Sequence, residues 1–376
     1  VNTFDESQPF YLEGKYHTIS LIHNGQIDSN EIKRRINKTF ENSSDTKYLL
    51  HYLSSLINRY VILNDENIRL IVDEIQSING SFNCICLIKD FGLLCFKDKY
   101  SIRPLVLGKK DDTYIISSES ISITSIDYEI IDDIYGYDIL YFDTRNNLQK
   151  IIASTGRHAL MYFKPCIFEW VYLAREESTL YGVNVYQSRV KMGEFLAKKI
   201  MKTIDSNMID LVVPIPDTSK PVALEISKRI NKPYYEAITK NRYVNRTFIM
   251  DSQHKRKKNI KRKLNVIQHL MKNKNILIVD DSIVRGNTIK HIVDLLKEND
   301  VNKIFIAISC PEIINTNNYG IDIPTREELL CFNKSNQEIE NELGIEKIIF
   351  QDLSDLEKSI QPFKNFEKSI FQIEDE

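Results

Sequence analysis

The stretch Asn275–Thr288, reading NILIVDDSIVRGNT, constrains the fold of this chain more than any other. Ile276, Leu277, Ile278 and Val279 form an apolar run bounded by polar residues, as expected of a strand buried on both faces of a parallel sheet. The run stops at Asp280 and Asp281, two adjacent carboxylates placed where the strand should end. Ser282, Arg285, Gly286, Asn287 and Thr288 then form a small polar turn. Ile289, Ile292, Val293, Leu295 and Leu296 mark one face of the helix that follows. Open α/β sheets bind ligands at the carboxyl ends of strands, and the free amides at a helix start attract phosphate. Paired carboxylates repel each other; a ribose diol can use their acceptor capacity, and a divalent cation can cancel their charge. One strand end thus offers both halves of a sugar-phosphate site. A plain surface turn explains the Asp, Ser, Gly and Asn, but not their order between a buried strand and an amphipathic helix.

A chain of 376 residues is expected to hold two domains, because single cores rarely grow beyond roughly 250–300 residues. The formal net charge of -2 gives no global reason to expect nucleic acid or an anionic membrane as partner. Six cysteines without a CxxC pair suit a reducing, cytoplasmic setting. Cys84 and Cys86 alternate on one strand and read as small buried hydrophobes. No apolar run reaches the roughly 20 residues that span a bilayer, and Asn2, Asp5 and Glu6 interrupt any signal-peptide pattern.

Residues 1–150 read as an α+β unit with antiparallel strands. Thr18–Ile22 is a strand ending at His23-Asn24-Gly25, a strong turn signal. Helices are expected over Ser29–Phe40 and Asp45–Tyr60, the second capped by Ser43 or Ser44 with Leu49, Leu50, Leu53 and Ile57 as its core stripe. Gly80–Ile88 and Phe91–Phe96 form a hairpin around Asp90, and Ile102–Leu107, Tyr114–Ser117 and Ile130–Phe142 add strands. Residues 151–350 form a second unit. It opens on Cys166–Arg175, CIFEWVYLAR, an apolar strand, and continues with a helix over Val185–Ile200 that carries Arg189 and Lys191 on its polar side. Strand Leu211–Ile215, turn Pro216–Ser219 and helix Ala223–Arg229 repeat the organising pattern, so Asp217, Thr218 and Ser219 can hold a second phosphate group.

Lys240-Asn241-Arg242-Tyr243 begins a polar segment, past Thr247, that reads as a mobile flap over an anionic substrate. The basic run His254–Lys263 lacks interleaved aromatics, so a solvated face or a phosphate-attracting rim explains it better than nucleic-acid binding. Strand Lys303–Ile308, short helices over Glu327–Phe332 and Gln337–Leu343, and an edge strand Lys347–Phe350 complete the unit. Residues 351–376 are expected to be a tail, peripheral from Phe363 onward.

VDDSIVRGNT at Val279–Thr288 resembles the phosphoribosyl-pyrophosphate (PRPP) motif of type I phosphoribosyltransferases. CIFEWVYLAR, PIPDTS (Pro214–Ser219), KNRYVNRTFIM (Lys240–Met250), RKLN (Arg262–Asn265) and YGID (Tyr319–Asp322) narrow the resemblance to the glutamine phosphoribosylpyrophosphate amidotransferase family. It covers nearly the whole chain. The resemblance implies an N-terminal-nucleophile-type glutaminase domain followed by an α/β type I phosphoribosyltransferase domain with a mainly parallel sheet. It implies transfer from PRPP to ammonia, normally released from glutamine, giving phosphoribosylamine in the first committed step of purine synthesis. By resemblance, Asp280 and Asp281 hold the ribose hydroxyls and Mg²⁺. Ser282, Arg285, Gly286, Asn287 and Thr288 bind the 5′-phosphate, and Asp217, Thr218 and Ser219 lie by the pyrophosphate. Lys240 and Arg242 belong to the closing loop, in which Asn245 replaces a usual glycine. Purine nucleotides are implied as feedback inhibitors and a homotetramer as the assembly.

SLIHNGQI carries Asn24 and Gly25, an oxyanion hole by resemblance, and Asp45 would bind the glutamine α-amino group. IRPLVLG (Ile102–Gly108) and SSES (Ser117–Ser120) match the same domain. The family's catalytic residue is an N-terminal cysteine, whereas residue 1 is Val, so a truncated glutaminase domain without nucleophile or substrate-clamping arginine is expected. Cys166 stands at one position of the family's iron–sulfur ligands, but Asn318 replaces another, so the cluster-free branch is implied, with Cys166 in the core. A nucleobase-salvage phosphoribosyltransferase and a PRPP-sensing or nucleic-acid-binding regulator are the alternatives; the first leaves HNG and IRPLVLG unexplained.

Overall fold

The computed structural model describes residues 6–40, 43–145, 147–152, 159–241, 264–317, 319–321 and 325–372. The first unit contributes β1 (Phe10–Leu12), β2 (Ile19–Ile27), β3 (Gly80–Ile88), β4 (Gly92–Lys97), β5 (Val106–Lys110), β6 (Thr113–Ser117), β7 (Glu129–Asp133), β8 (Asp138–Asp143) and β9 (Leu148–Ile152). Strands β1-β2-β3-β4-β8-β9 form one antiparallel sheet in that order, and β6-β5-β7 form a smaller one. Helices Ser29–Ile36, Asp45–Ile57 and Asp65–Gln76 belong to the same apolar core as the large sheet, with Leu49, Leu53, Ile68 and Val72 packed with Leu21, Phe82, Cys84 and Cys86. The two cysteines are buried, as their alternation implies. The helix Asp65–Gln76 was not expected. Its signals are Asn64, whose side chain accepts from the amide of Asn67, and a buried stripe of Ile68, Ile71, Val72 and Ile75.

His23-Asn24-Gly25 does not turn. Strand β2 runs through it to Ile27, with Gly25 opposite Phe82 of β3. A two-residue turn must join neighbouring strands, whereas β2 connects to a helix two residues after its end.

The second unit adds hairpin β10 (Thr179–Leu180)–β11 (Val183–Asn184), β12 (Leu211–Pro214), β13 (Ile238–Lys240), β14 (Leu264–Val266), β15 (Asn275–Asp280), β16 (Lys303–Ile308) and β17 (Lys347–Phe350). Strands β12-β15-β16-β17 form a wholly parallel sheet, with β17 on its edge as expected. Ile276–Val279 are buried, so the central apolar run is the double-faced strand its sequence demands. Helices Val185–Thr203, Lys220–Ile230 and Asn287–Glu298 share its core.

Five expectations are corrected here. Cys166–Arg175 is not a strand but contains a π-helical turn, Glu169–Leu173, closed by the Ala174 amide on the Glu169 carbonyl at 2.9 Å. Burial around Trp170 and Val171 erases the periodicity that separates helix from strand. Arg189 is not on a polar face: it is 2% exposed, its Nε donates to the Trp170 carbonyl at 3.1 Å and its Nη2 to that of Ala174 at 2.8 Å. The strand expected over Ile102–Leu107 runs instead over Val106–Lys110, and the helix expected over Glu327–Phe332 is a 3₁₀ turn at Arg326–Glu328. Finally, the segment after Phe363 is not peripheral. Phe366, Ile370 and Phe371 are buried, Trp170 meets Phe366 edge-on, and the Glu367 carbonyl accepts from the Ile167 amide.

Phe366→Ala is therefore expected to cost about 3–5 kcal/mol, the range for emptying an aromatic core site, measured by urea unfolding. A loss below about 1 kcal/mol would show that this segment is not part of the core.

Candidate active site

Strands β12 and β15 are parallel neighbours, with Pro214 opposite Val279, so both following loops leave from the same edge of the sheet. Asp280 ends β15 at 9% exposure and Asp281 follows at 7%. The Asp281 amide donates to Asp280 Oδ1 at 2.9 Å, Ser282 Oγ to Asp281 Oδ1 at 2.6 Å, and Thr218 Oγ1 to Asp281 Oδ2. The last bond joins the two loops across 63 residues of sequence. Burial, then the neighbouring Asp281 charge, pushes Asp280 well above the usual carboxylate range. Burial also raises Asp281, opposed by the Ser282 and Thr218 hydroxyls and the charges of Arg189 and Lys240.

Gly286 caps the helix Asn287–Glu298 with φ 74°, a left-handed conformation that glycine adopts freely. A Cβ there would lie 3.0 Å from Leu330. No side chain caps this helix, so first-turn amides, including those of Asn287 and Thr288, remain free for an anion. Arg285 does not face that position alone: its Nε donates to Glu328 Oε2 at 2.6 Å. On the other loop Ser219 is buried and its hydroxyl is taken by the Ile215 carbonyl, leaving Asp217 and Thr218 as the reachable groups. Lys240, at the end of β13, places Nζ 2.7 Å from Asp217 Oδ2. Arg242, Asn245 and the run His254–Lys263 lie outside the described residues.

In the first unit, Asn24 Nδ2 donates to Ser118 Oγ at 3.2 Å. Asp45 Oδ2 accepts from the Ile27 amide at 3.0 Å and its Oδ1 from the Thr46 amide at 2.8 Å. Ser44 occupies the N-cap position of the Asp45–Ile57 helix but makes no side-chain cap bond. All six cysteines are buried. Burial pushes the thiols of Cys86, Cys95, Cys166 and Cys331 up to about 12, and those of Cys84 and Cys310 well above the usual range.

Sequence reasoning missed Arg189 as a charge near the acids. The signal was present: Val185, Arg189, Met192 and Leu196 fall at helical spacing on one buried stripe.

An acid pair and a glycine-led helix at a parallel strand end, joined to an antiparallel α+β unit, fit a phosphoribosyl-transferring domain attached to a glutaminase-like one. Residues 184–322 match the phosphoribosyl transferase domain family and residues 1–125 the glutamine amidotransferase domain family. The chain is 38% identical to amidophosphoribosyltransferase of Haemophilus influenzae, covering 98% of this chain and 76% of that one. It is 36% identical to the Escherichia coli amidophosphoribosyltransferase, over 97% and 75%. Among solved structures, the glutamine PRPP amidotransferase of B. subtilis complexed with ADP and GMP superimposes with a TM-score of 0.80 at 25% identity, over 98% of this chain and 78% of that one. The chain belongs to the amidophosphoribosyltransferase family. The glutamine amidotransferase match covers residues 1–125, and the comparisons do not show the expected truncation of the glutaminase domain.

Asp280→Asn offers a direct check on the acid pair. A carboxylate whose folded-state pKa is raised loses stability as pH rises through the window above its unfolded value of about 3.9. Its neutral isostere should therefore raise the ligand-free melting temperature by a few degrees at pH 7 while transfer is lost. A lower melting temperature would contradict the repulsion.

Proposed function

We propose that this chain transfers the phosphoribosyl group of PRPP to ammonia, releasing pyrophosphate and forming 5-phosphoribosylamine, the entry step of purine synthesis. The observation that carries the reading is the Thr218–Asp281 hydrogen bond, which brings the two ligand loops together at one sheet edge. The ribose hydroxyls meet Asp280 and Asp281, the 5′-phosphate meets the amides that follow Gly286, and the pyrophosphate meets Asp217, Thr218 and Lys240.

The buried acid pair also fits Mg²⁺. Two carboxylates raised by burial, Asp280 also by the Asp281 charge, need positive charge, and a hard, hydrated cation takes one or two protein carboxylates plus substrate oxygens. Asp280 and Asp281 would hold it, and when bound it supplies charge that stabilises pyrophosphate as leaving group. In the step itself, the nitrogen lone pair forms the bond to C1 as the C1–O bond breaks. Pyrophosphate leaves with that electron pair, and the new ammonium loses a proton. Lys240 strengthens its contact as negative charge grows on the departing oxygen, a gain larger in the transition state than in the ground state.

Glutamine is the normal source of that ammonia, a reading supported by the match of residues 1–125 to the glutamine amidotransferase domain family. Asn24, Gly25 and Asp45 would receive glutamine, and purine nucleotides acting on a homo-oligomer complete the reading.

Pyrophosphate release should require PRPP, Mg²⁺ and ammonium, and Asp281→Asn should lower kcat/KM at least about 100-fold. Release that ammonium does not increase would overturn the ammonia assignment; release with a nucleobase acceptor instead would replace the reaction.

A further inference from the structure

The phosphate loop is braced from outside its own domain. The Leu330 amide donates to the Val284 carbonyl at 2.9 Å, the Leu330 side chain fills the space beside Gly286, and Glu328 holds Arg285. Residues 326–330 are tied to the earlier part of the same segment by Arg326, whose Nε donates to Asn315 Oδ1 at 2.6 Å. Two residues on, Asn317 Oδ1 accepts from the amides of Tyr319 at 2.8 Å and Ile321 at 3.1 Å. Tyr319 and Gly320 then meet the first domain. Ser81 Oγ, on β3, donates to the Tyr319 carbonyl at 2.7 Å, and Arg103 Nη2 donates to the Gly320 carbonyl at 2.7 Å. Arg103 is fixed in turn by Glu169 Oε1, 2.7 Å from its Nη1. Gly320 has φ 97°, and a Cβ there would lie 2.7 Å from Arg103 Nη2, so only glycine allows this approach.

We propose that Ser81 and Arg103, both in the first domain, are positioning residues for PRPP in the second. By holding Tyr319 and Gly320 they fix the segment that shapes the Val284–Gly286 phosphate loop. The inference rests on the PRPP reading above and extends it, since it makes ammonia-dependent transfer depend on a domain that does not touch the transferred group. Coupling of this kind runs through packed elements and hydrogen bonds, and measured coupling is what establishes it. The effect belongs in the binding of the terminal phosphate, remote from C1, and so in KM rather than kcat.

Ser81→Ala removes one hydroxyl, and with it the bond to the Tyr319 carbonyl, without adding volume. It should raise the KM for PRPP about three- to tenfold, with kcat within about twofold, in ammonia-dependent pyrophosphate release. Gly320→Ala should act in the same direction by displacing Arg103, which keeps the test independent of how well an Arg103 variant folds. Ile88→Val, at the far end of β3, should lower the melting temperature without moving KM. Wild-type turnover with unchanged KM in both Ser81→Ala and Gly320→Ala would overturn the inference alone, as would an equal rise in Ile88→Val. Absence of PRPP turnover in the wild type would overturn the proposed function and this inference with it.

Discussion

Two carboxylates at the end of a strand buried on both faces cannot both keep their charge without help, and the second domain is arranged around that conflict. The strand brings Asp280 and Asp281 to the sheet edge at under a tenth of full exposure. Each surrounding feature answers part of the electrostatic demand. Ser282 and Thr218 donate hydroxyls to Asp281, the Asp281 amide donates to Asp280, and Arg189 and Lys240 supply positive charge from opposite elements. What remains unmet is what a cationic or hydroxyl-rich ligand can satisfy. Stability given up at a strand end and regained on binding is a common property of sites built for charged substrates.

The same demand explains why this domain does not stand apart from its neighbour. Arg189 adds its charge near Asp281 from the buried face of its helix, and it is held there by the carbonyls of Trp170 in the π-helical turn and of Ala174 just after it. That turn also presents Glu169 to Arg103 of the first domain. At the opposite side of the turn, Glu119 accepts from the Arg175 amide at 2.8 Å and the Ser178 hydroxyl at 2.7 Å. Asn24 bonds to Ser118, the residue before it. Hydrogen bonds from both domains therefore converge on one short segment, CIFEWVYLAR, which makes it a joint rather than a strand.

How much of this was legible depended on sequence distance. The Asn275–Thr288 site was readable because strand, acids, glycine and helix are contiguous, and local order is what pattern and turn chemistry encode. The parallel sheet followed from apolar runs at β12, β15 and β16. The contact between Thr218 and Asp281 was not readable, because it is set by which strands neighbour each other. Arg189 was misplaced by its charge, although its spacing put it on the buried stripe. CIFEWVYLAR and the aromatic segment ending at Phe371 were misjudged for one reason. Most apolar residues of each are buried, Trp170 against Phe366 among them, and all-round burial removes the alternation that reveals an element's face. The role of Lys240 was legible only through resemblance, and its 2.7 Å contact with Asp217 is local geometry no spacing rule supplies.

The central claim is that the acid pair binds an activated ribose with the aid of a divalent cation. Calorimetric titration with PRPP, with Mg²⁺ and with chelator, in the wild type and in Asp281→Asn, tests it most directly. The account predicts saturable uptake by the wild type only with Mg²⁺, and none by the variant under either condition. Equal uptake by both proteins with the cation removed would contradict it.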